Sequence, residues 1–150
     1  MDEDEYRNTH QAVNPLACSF RKAMLARQCR CEHLLHFHIA EREAVGCNRP
    51  SAHEDCLRLL DLLRGNARFT LKLIEPPHVP LPHGKEIKVQ VGGLRGVARV
   101  TAPGEPTYRI DNVFGLVEKA TAIHGGMENL PYTEIVREIA RYEGRPRRRR

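Results

Sequence analysis

The chain has 150 residues, 41% of them hydrophobic but only 5% aromatic, with no tryptophan. That length suits one ordinary domain or two very small units, with a core lean in large rings. No apolar run approaches the roughly 18 residues of a membrane span, which predicts a soluble protein. The net charge is +5, and Arg145, Arg147, Arg148, Arg149 and Arg150 of the terminal RPRRRR supply as many positive charges as the whole excess. The body is therefore near neutral and is not a surface built to coat nucleic acid. Asp2, Glu3, Asp4 and Glu5 form an opposite block at the other end. The start MDEDEYRNTH has neither the basic nor the apolar region of a secretory signal. The expected setting is the cytoplasm, where free thiols or metal thiolates are favoured over disulfides.

In chain order, residues 1–13 read as a flexible acidic lead. NPLACSFRKAMLARQ reads as a helix with Asn14 as its cap and Pro15 in its first turn. Its apolar residues Leu16, Phe20, Ala23 and Met24 fall at helical spacing, and Cys18 reads as core. LLHFHIA alternates, with Leu35, Phe37 and Ile39 on one side and His36 and His38 on the other, as in a short strand. SAHEDCLRLLDLLRG reads as a helix opened by a Ser51–Glu54 capping box and closed at Gly65. Its buried stripe is Cys56, Leu59, Leu60 and Leu63.

FTLKLIE reads as a strand. PPHVPLPHG carries four prolines and reads as a stiff connector over residues 76–84. EIKVQV, VARVTA and TYRID read as three strands joined by GGLRG and PGEP turns, with Gly92, Gly93 and Gly96 as turn residues. NVFGLVEKATAIHGG reads as a helix capped by Asp111 and stopped at Gly125–Gly126. TEIVREIARYEG reads as another, with Ile135, Val136, Ile139 and Tyr142 on one face. The predicted fold class is α+β. A helical zinc-binding module over 14–75 precedes a β-meander with two packed helices over 85–143, and residues 144–150 form a basic disordered tail.

The chemistry concentrates in residues 29–56, which hold four of the five cysteines and four of the eight histidines. Zinc takes about four thiolate or imidazole ligands in a tetrahedron. Cys29, Cys31 and nearby His33 form a turn-like cluster. His53 and Cys56 stand at i and i+3 near a helix start, so they share a face. Cys47 lies between them. The predicted ligand set is Cys29, Cys31, Cys47 and Cys56 for Zn2+, with His33 and His53 as substitutes. The order of knuckle, hairpin and helix resembles a treble-clef zinc finger over residues 29–64. The knuckle departs from that pattern, being C-x-C in place of C-x2-C, which is more strained around one metal.

A structural role for the metal is favoured over a catalytic one. Glu32 and Glu54 neighbour candidate ligands, and CEH and HEDC echo deaminase signatures, but no P-C-x-x-C accompanies them. His36, His38, His78 and His83 read as surface residues. The glycines at 92–96 lack the lysine and following helix of a phosphate loop. The terminal arginines suit phosphates or carboxylates, with Tyr108 and Tyr132 the loose candidates for base stacking. The expected function is a non-enzymatic, zinc-stabilised accessory protein that binds nucleic acid or a nucleoprotein complex. The alternatives are a protein–protein adaptor that docks on an acidic surface, and a zinc-dependent hydrolase.

Overall fold

Residues 86, 90, 93, 97 and 101 recur at helical spacing, and all are buried. They belong to one long helix, His83–Thr101, where the sequence suggested strands. A computed structural model of the chain describes residues 2–74, 76, 78–105 and 109–144. Its described elements are α1 (Glu3–Val13), α2 (Arg21–Leu25), β1 (Leu34–Ile39), β2 (Arg42–Cys47), α3 (Pro50–Asn66), α4 (His83–Thr101), α5 (Val113–His124) and α6 (Tyr132–Arg141). The two strands pair antiparallel, with Leu34 opposite Cys47 and Ile39 opposite Arg42. The fold is thus mixed helix and sheet, but helices supply nearly all of it. Among the described residues no helix is long and apolar enough to cross a membrane.

Among the described residues the β-meander is not present, and the start of the expected strand TYRID, Thr107 and Tyr108, lies outside them. Alternating β-branched residues in EIKVQV and VARVTA mimic strands because α4 is buried on nearly every side. A helix at the centre of a core carries apolar residues all round, which hides its period. Gly92, Gly93 and Gly96 are not turn residues; they are contact points for neighbouring helices. A Cβ on Gly92 would stand 2.7 Å from the Cα of Ile139, and one on Gly96 would stand 2.9 Å from the Cα of Ile135. The missing side chains let the α4 and α6 backbones approach closely. Gly93 does the same for Leu63 of α3, whose Cδ1 would lie 2.7 Å from an added Cβ.

Other segments differ from expectation for local reasons. The acidic lead forms α1, because Asp2 caps it by accepting the Glu5 N–H at 2.8 Å and three acidic residues fill its first turn. The helix expected over 14–28 shrinks to α2, since residues 16–18 pair with β2 instead. Phe69 and Ile74 of the expected strand FTLKLIE lie in irregular chain, almost fully exposed. Helix α3 begins one residue before Ser51 with Pro50 in its first turn, and no side chain caps it. Helices α5 and α6 fall close to where the sequence placed them, but Asn112 and not Asp111 stands at the N-cap of α5, with no side-chain cap, and Gly125 ends α5 in the left-handed conformation at φ 75°.

Buried apolar residues from α2, α3, α4, α5 and α6 join in one cluster that also takes in Cys29 and Val45. A charged pair lies inside it. Arg64 of α3 meets Glu86 of α4 at 2.5 Å, with the two side chains 6% and 1% exposed. Glu86 also accepts the Leu81 N–H at 3.0 Å and a Gln90 amide hydrogen at 3.0 Å. Gln90 in turn accepts the Ala23 N–H at 3.1 Å. Burial alone would raise the Glu86 pKa, but the hydrogen bonds from Arg64, Gln90 and Leu81 outweigh it and hold the carboxyl below its ordinary value of 4.5.

Two outcomes follow for stability. Alanine at Gly92 or Gly96 gains up to about 1 kcal/mol of helix propensity yet meets α6 backbone, and overpacking of that kind costs about 1–3 kcal/mol. Both variants should unfold at lower urea, whereas Gly84→Ala, with nothing within 4 Å of the new Cβ, should be neutral or stabilising. Glu86→Gln removes the buried carboxylate from Arg64 and should cost about 3–5 kcal/mol. Because the native Glu86 pKa is depressed, its contribution is present above pH about 4.5 and disappears as pH falls through the lower native value. Urea titrations across that window should show the acid loss in the parent and a shallower pH dependence in Glu86→Gln.

Candidate metal centre

Four thiols reach one small cavity from four separate segments. Residues 16–18 run antiparallel beside β2, with Ala17 opposite Gly46. The Cys18 N–H donates to Val45 O at 3.0 Å, and the Cys47 N–H donates to Leu16 O at 2.8 Å. Opposite residues on paired strands share a face, as do residues two apart on one strand. Cys18 lies across from Val45, so it shares the face of Cys47. Gly46 makes the pairing possible, since a Cβ there would stand 1.9 Å from Asn14 Oδ1. Asn14 is itself buried, and its amide donates to Val45 O at 3.0 Å.

Cys31 comes from the loop ahead of β1. That loop is strapped to the chain before α5: Arg30 N–H donates to Ile110 O at 2.8 Å, and Val113 N–H donates to Arg30 O at 2.8 Å. The strap brings Val113 and Phe114 over the thiols. Cys56 comes from the second turn of α3, one turn after His53. His53 Nε2–H donates to Ala17 O at 3.1 Å, tying α3 to the strand segment beside Cys18.

The cavity lies among Cys18, Cys31, Cys47 and Cys56, and His33 and His53 also line it. Phe20, Met24, Leu34, Ala52, Val113 and Phe114 close the apolar remainder of its wall. Its volume is about 20 Å³, enough for about one water-sized body. Burial pushes the Cys18 and Cys56 thiols up to about 12, and the neighbouring Cys31 and Cys47 add to the rise in both. The Cys47 thiol donates to Arg49 O at 3.3 Å. His33 Nδ1 lies 2.9 Å from Asn48 Oδ1, while its Nε2 is buried without a hydrogen-bond partner among the described residues. If Asn48 Oδ1 accepts from Nδ1–H, the Nε2 lone pair is left unused, which is the arrangement of a histidine ready to ligate. Among the described residues, no group of three or more histidine, cysteine or carboxylate donors is placed to hold a metal ion.

The cavity gathers Cys31, Cys47, Cys56, His33 and His53 from the expected ligand set. Cys29 does not line it. Its side chain is 4% exposed, and its thiol points to Met24 Sδ at 3.4 Å inside the core. Burial pushes the Cys29 thiol up to about 12 as well. Cys18 stands at the cavity in its place, although the sequence suggested a core residue on a helix. The readable clue was the tight C-x-C, which strains if both thiols serve one centre.

The remaining candidates lie elsewhere. Glu32 accepts from the Asn112 amide at 2.9 Å and Glu54 is exposed on α3; neither lines the cavity. His36 lies 3.5 Å from Glu43 on an exposed face, and His83 Nδ1 stands 2.8 Å from the Lys22 ammonium. Tyr132 is half-buried, and its hydroxyl donates to Met127 O at 2.7 Å. Tyr108, Arg145, Arg147, Arg148, Arg149 and Arg150 lie outside the described residues. No family model, no curated protein and no solved structure matches the chain at a significant level.

Proposed function

We propose that the chain is a non-enzymatic accessory protein whose fold is locked by a metal held among Cys18, Cys31, Cys47 and Cys56. Zinc is the metal of this reading. The observation that carries it is the meeting of four thiols, each from a different segment, at one apolar-walled cavity. Buried thiols pack well as small apolar groups, but chance packing gives no reason for four to share one void. A metal bound there would join the strand segment, the loop before β1, the end of β2 and the start of α3. Because the unfolded chain has no preformed site, the binding energy would act as folding energy. The placement of Glu32 and Glu54 away from the cavity supports the non-enzymatic reading, since a metal there would have neither of those carboxylates beside it as a base.

The arginine end completes the reading. Five guanidinium groups within residues 145–150 suit phosphate by charge and by forked hydrogen bonding. The accessory role proposed is to bring the metal-locked body to nucleic acid through that end. An acidic protein surface would offer the same charge, and a truncation distinguishes the two. Removal of residues 145–150 should weaken binding to random RNA or DNA and flatten its salt dependence. Unchanged nucleic-acid affinity would overturn the tail's role and leave the adaptor reading.

The metal itself is tested on the full chain. Metal analysis of the purified protein should find bound metal, and circular dichroism should show structure lost on chelation. Cys18→Ser should lower the metal content, whereas Cys29→Ser should keep it while costing about 1–3 kcal/mol for a hydroxyl placed in the core. Metal-free protein with an unchanged urea midpoint would overturn the reading.

A further inference from the structure

We infer that the groove between α4 and α6 is a phosphate-binding site, and that it seats the backbone of the nucleic acid recruited by the arginine end. The inference rests on the nucleic-acid reading above and adds a second contact, on the folded body. The groove has a volume of about 130 Å³ and is lined by Arg99 of α4 and by Arg137 and Arg141 of α6. Gly96 lies in its wall and leaves that part of α4 without a side chain. The space suits a phosphate group, and three guanidinium groups from two helices converge on it.

Glu134 and Glu138 share the groove, so three positive groups face two negative ones. Glu138 accepts from Arg99 and, at 3.0 Å, from Arg141. It holds two guanidinium groups side by side. Elsewhere among the described residues, arginines do not share a carboxylate in this way: Arg27 pairs with Glu43, Arg42 with Glu3, Arg58 with Glu128 and Arg64 with Glu86. A guanidinium has five N–H donors, so Glu138 orients both arginines and leaves donors for a second acceptor. Arg137 is exposed and forms no ion pair among the described residues. Arg137 and Arg141 stand one turn apart on α6, as Arg95 and Arg99 do on α4. Like charges at that spacing oppose the helix. Folding alone gives no reason to stack them, whereas a polyanionic strand along the groove does.

The groove also lies where the arginine end leaves the body. Arg95 stands 5.1 Å from the centre of the Tyr142 ring and donates to Gln28 Oε1 at 2.9 Å, which carries the row of guanidinium groups to the end of α6. Arg145 is four residues beyond Arg141, and four residues span at most about 14 Å. Tail and groove can therefore meet phosphates of one strand. Contact at either raises the effective concentration of phosphate at the other, so two weak contacts act as one stronger site.

The test uses the full chain, tail included, and the fluorescence anisotropy of a labelled single-stranded RNA of random sequence, titrated at several salt concentrations. The variant Arg137→Gln/Arg141→Gln is compared with Arg7→Gln/Lys119→Gln, which removes the same charge from exposed positions on α1 and α5. The groove variant should weaken binding roughly ten-fold at low salt and reduce the slope of log affinity against log salt by about 1.4, at about 0.7 per phosphate contact. The matched variant should change neither. Arg137→Gln alone breaks no ion pair and should give about half the change in slope, which keeps the test decisive if the double variant fails to fold. Equal effects of the two double variants, or no effect of either, would overturn the inference; weaker binding on removal of residues 145–150 would then still support the nucleic-acid reading. A parent chain that binds poly-glutamate and no RNA would overturn both and leave the adaptor.

Discussion

The carboxylate of Glu86 fixes the arrangement on which the rest of the molecule depends. It is buried in the central helix and receives hydrogen bonds from Arg64 on α3, from the Leu81 backbone before α4 and from Gln90 one turn on. Gln90 extends the network to the Ala23 backbone on α2. A buried charge is tolerable only when its lone pairs are met, and here every partner comes from an element that must be correctly placed. The network therefore sets the positions of α2 and α3 relative to α4. Through α3 it sets the place of Cys56, and through α2 it sets the chain that leads from Cys18 to Cys31. Apolar burial supplies the driving force for collapse. The ionic cluster selects which collapsed arrangement satisfies its members.

Close helix approach supplies the second constraint. The glycines of α4 remove side-chain thickness on the sides facing α6 and α3, so Ile135, Ile139 and Leu63 sit against backbone. A central helix could not otherwise be enclosed so tightly in a chain with few large rings. The lean aromatic content noted from composition is thus met by thin helix contacts. The only phenylalanine that is fully buried is Phe20, which also walls the thiol cavity.

How much of this was legible depended on whether local pattern and tertiary setting agreed. Helices α5 and α6 carry one apolar face each and end on ordinary signals, so their sequence states their structure. Helix α4 does not, because burial on nearly every side removes the polar face that would reveal its period. Its valines and glycines then imitate strands and turns. The same limit applies to Asn14. Read alone, it is a helix cap; in the fold its amide is buried against Val45 and faces the bare Cα of Gly46. That contact joins residues far apart in the chain, and it converts residues 16–18 from helix to strand partner. The hairpin and the helix after it were legible from alternation and from the leucine stripe, so Cys47 and Cys56 were found. Cys18 was hidden because its placement comes from a pairing that no local signal announces.

Cavity chemistry and fold meet in the protonation of the thiols. Burial holds the Cys18 and Cys56 thiols neutral, with each raised to about 12, so in the absence of a cation they behave as small apolar groups in an apolar wall. A zinc ion bound there would require the opposite state, since the thiolate and not the thiol is the ligand. Each cysteine that bound a metal there would have to release a proton into solution, and the metal's charge would have to offset the cost of holding thiolates in a dry, low-dielectric site. Occupancy of such a site would be favoured as pH rises and opposed as it falls. A site with fewer thiols, or one open to water, would show a weaker coupling of this kind.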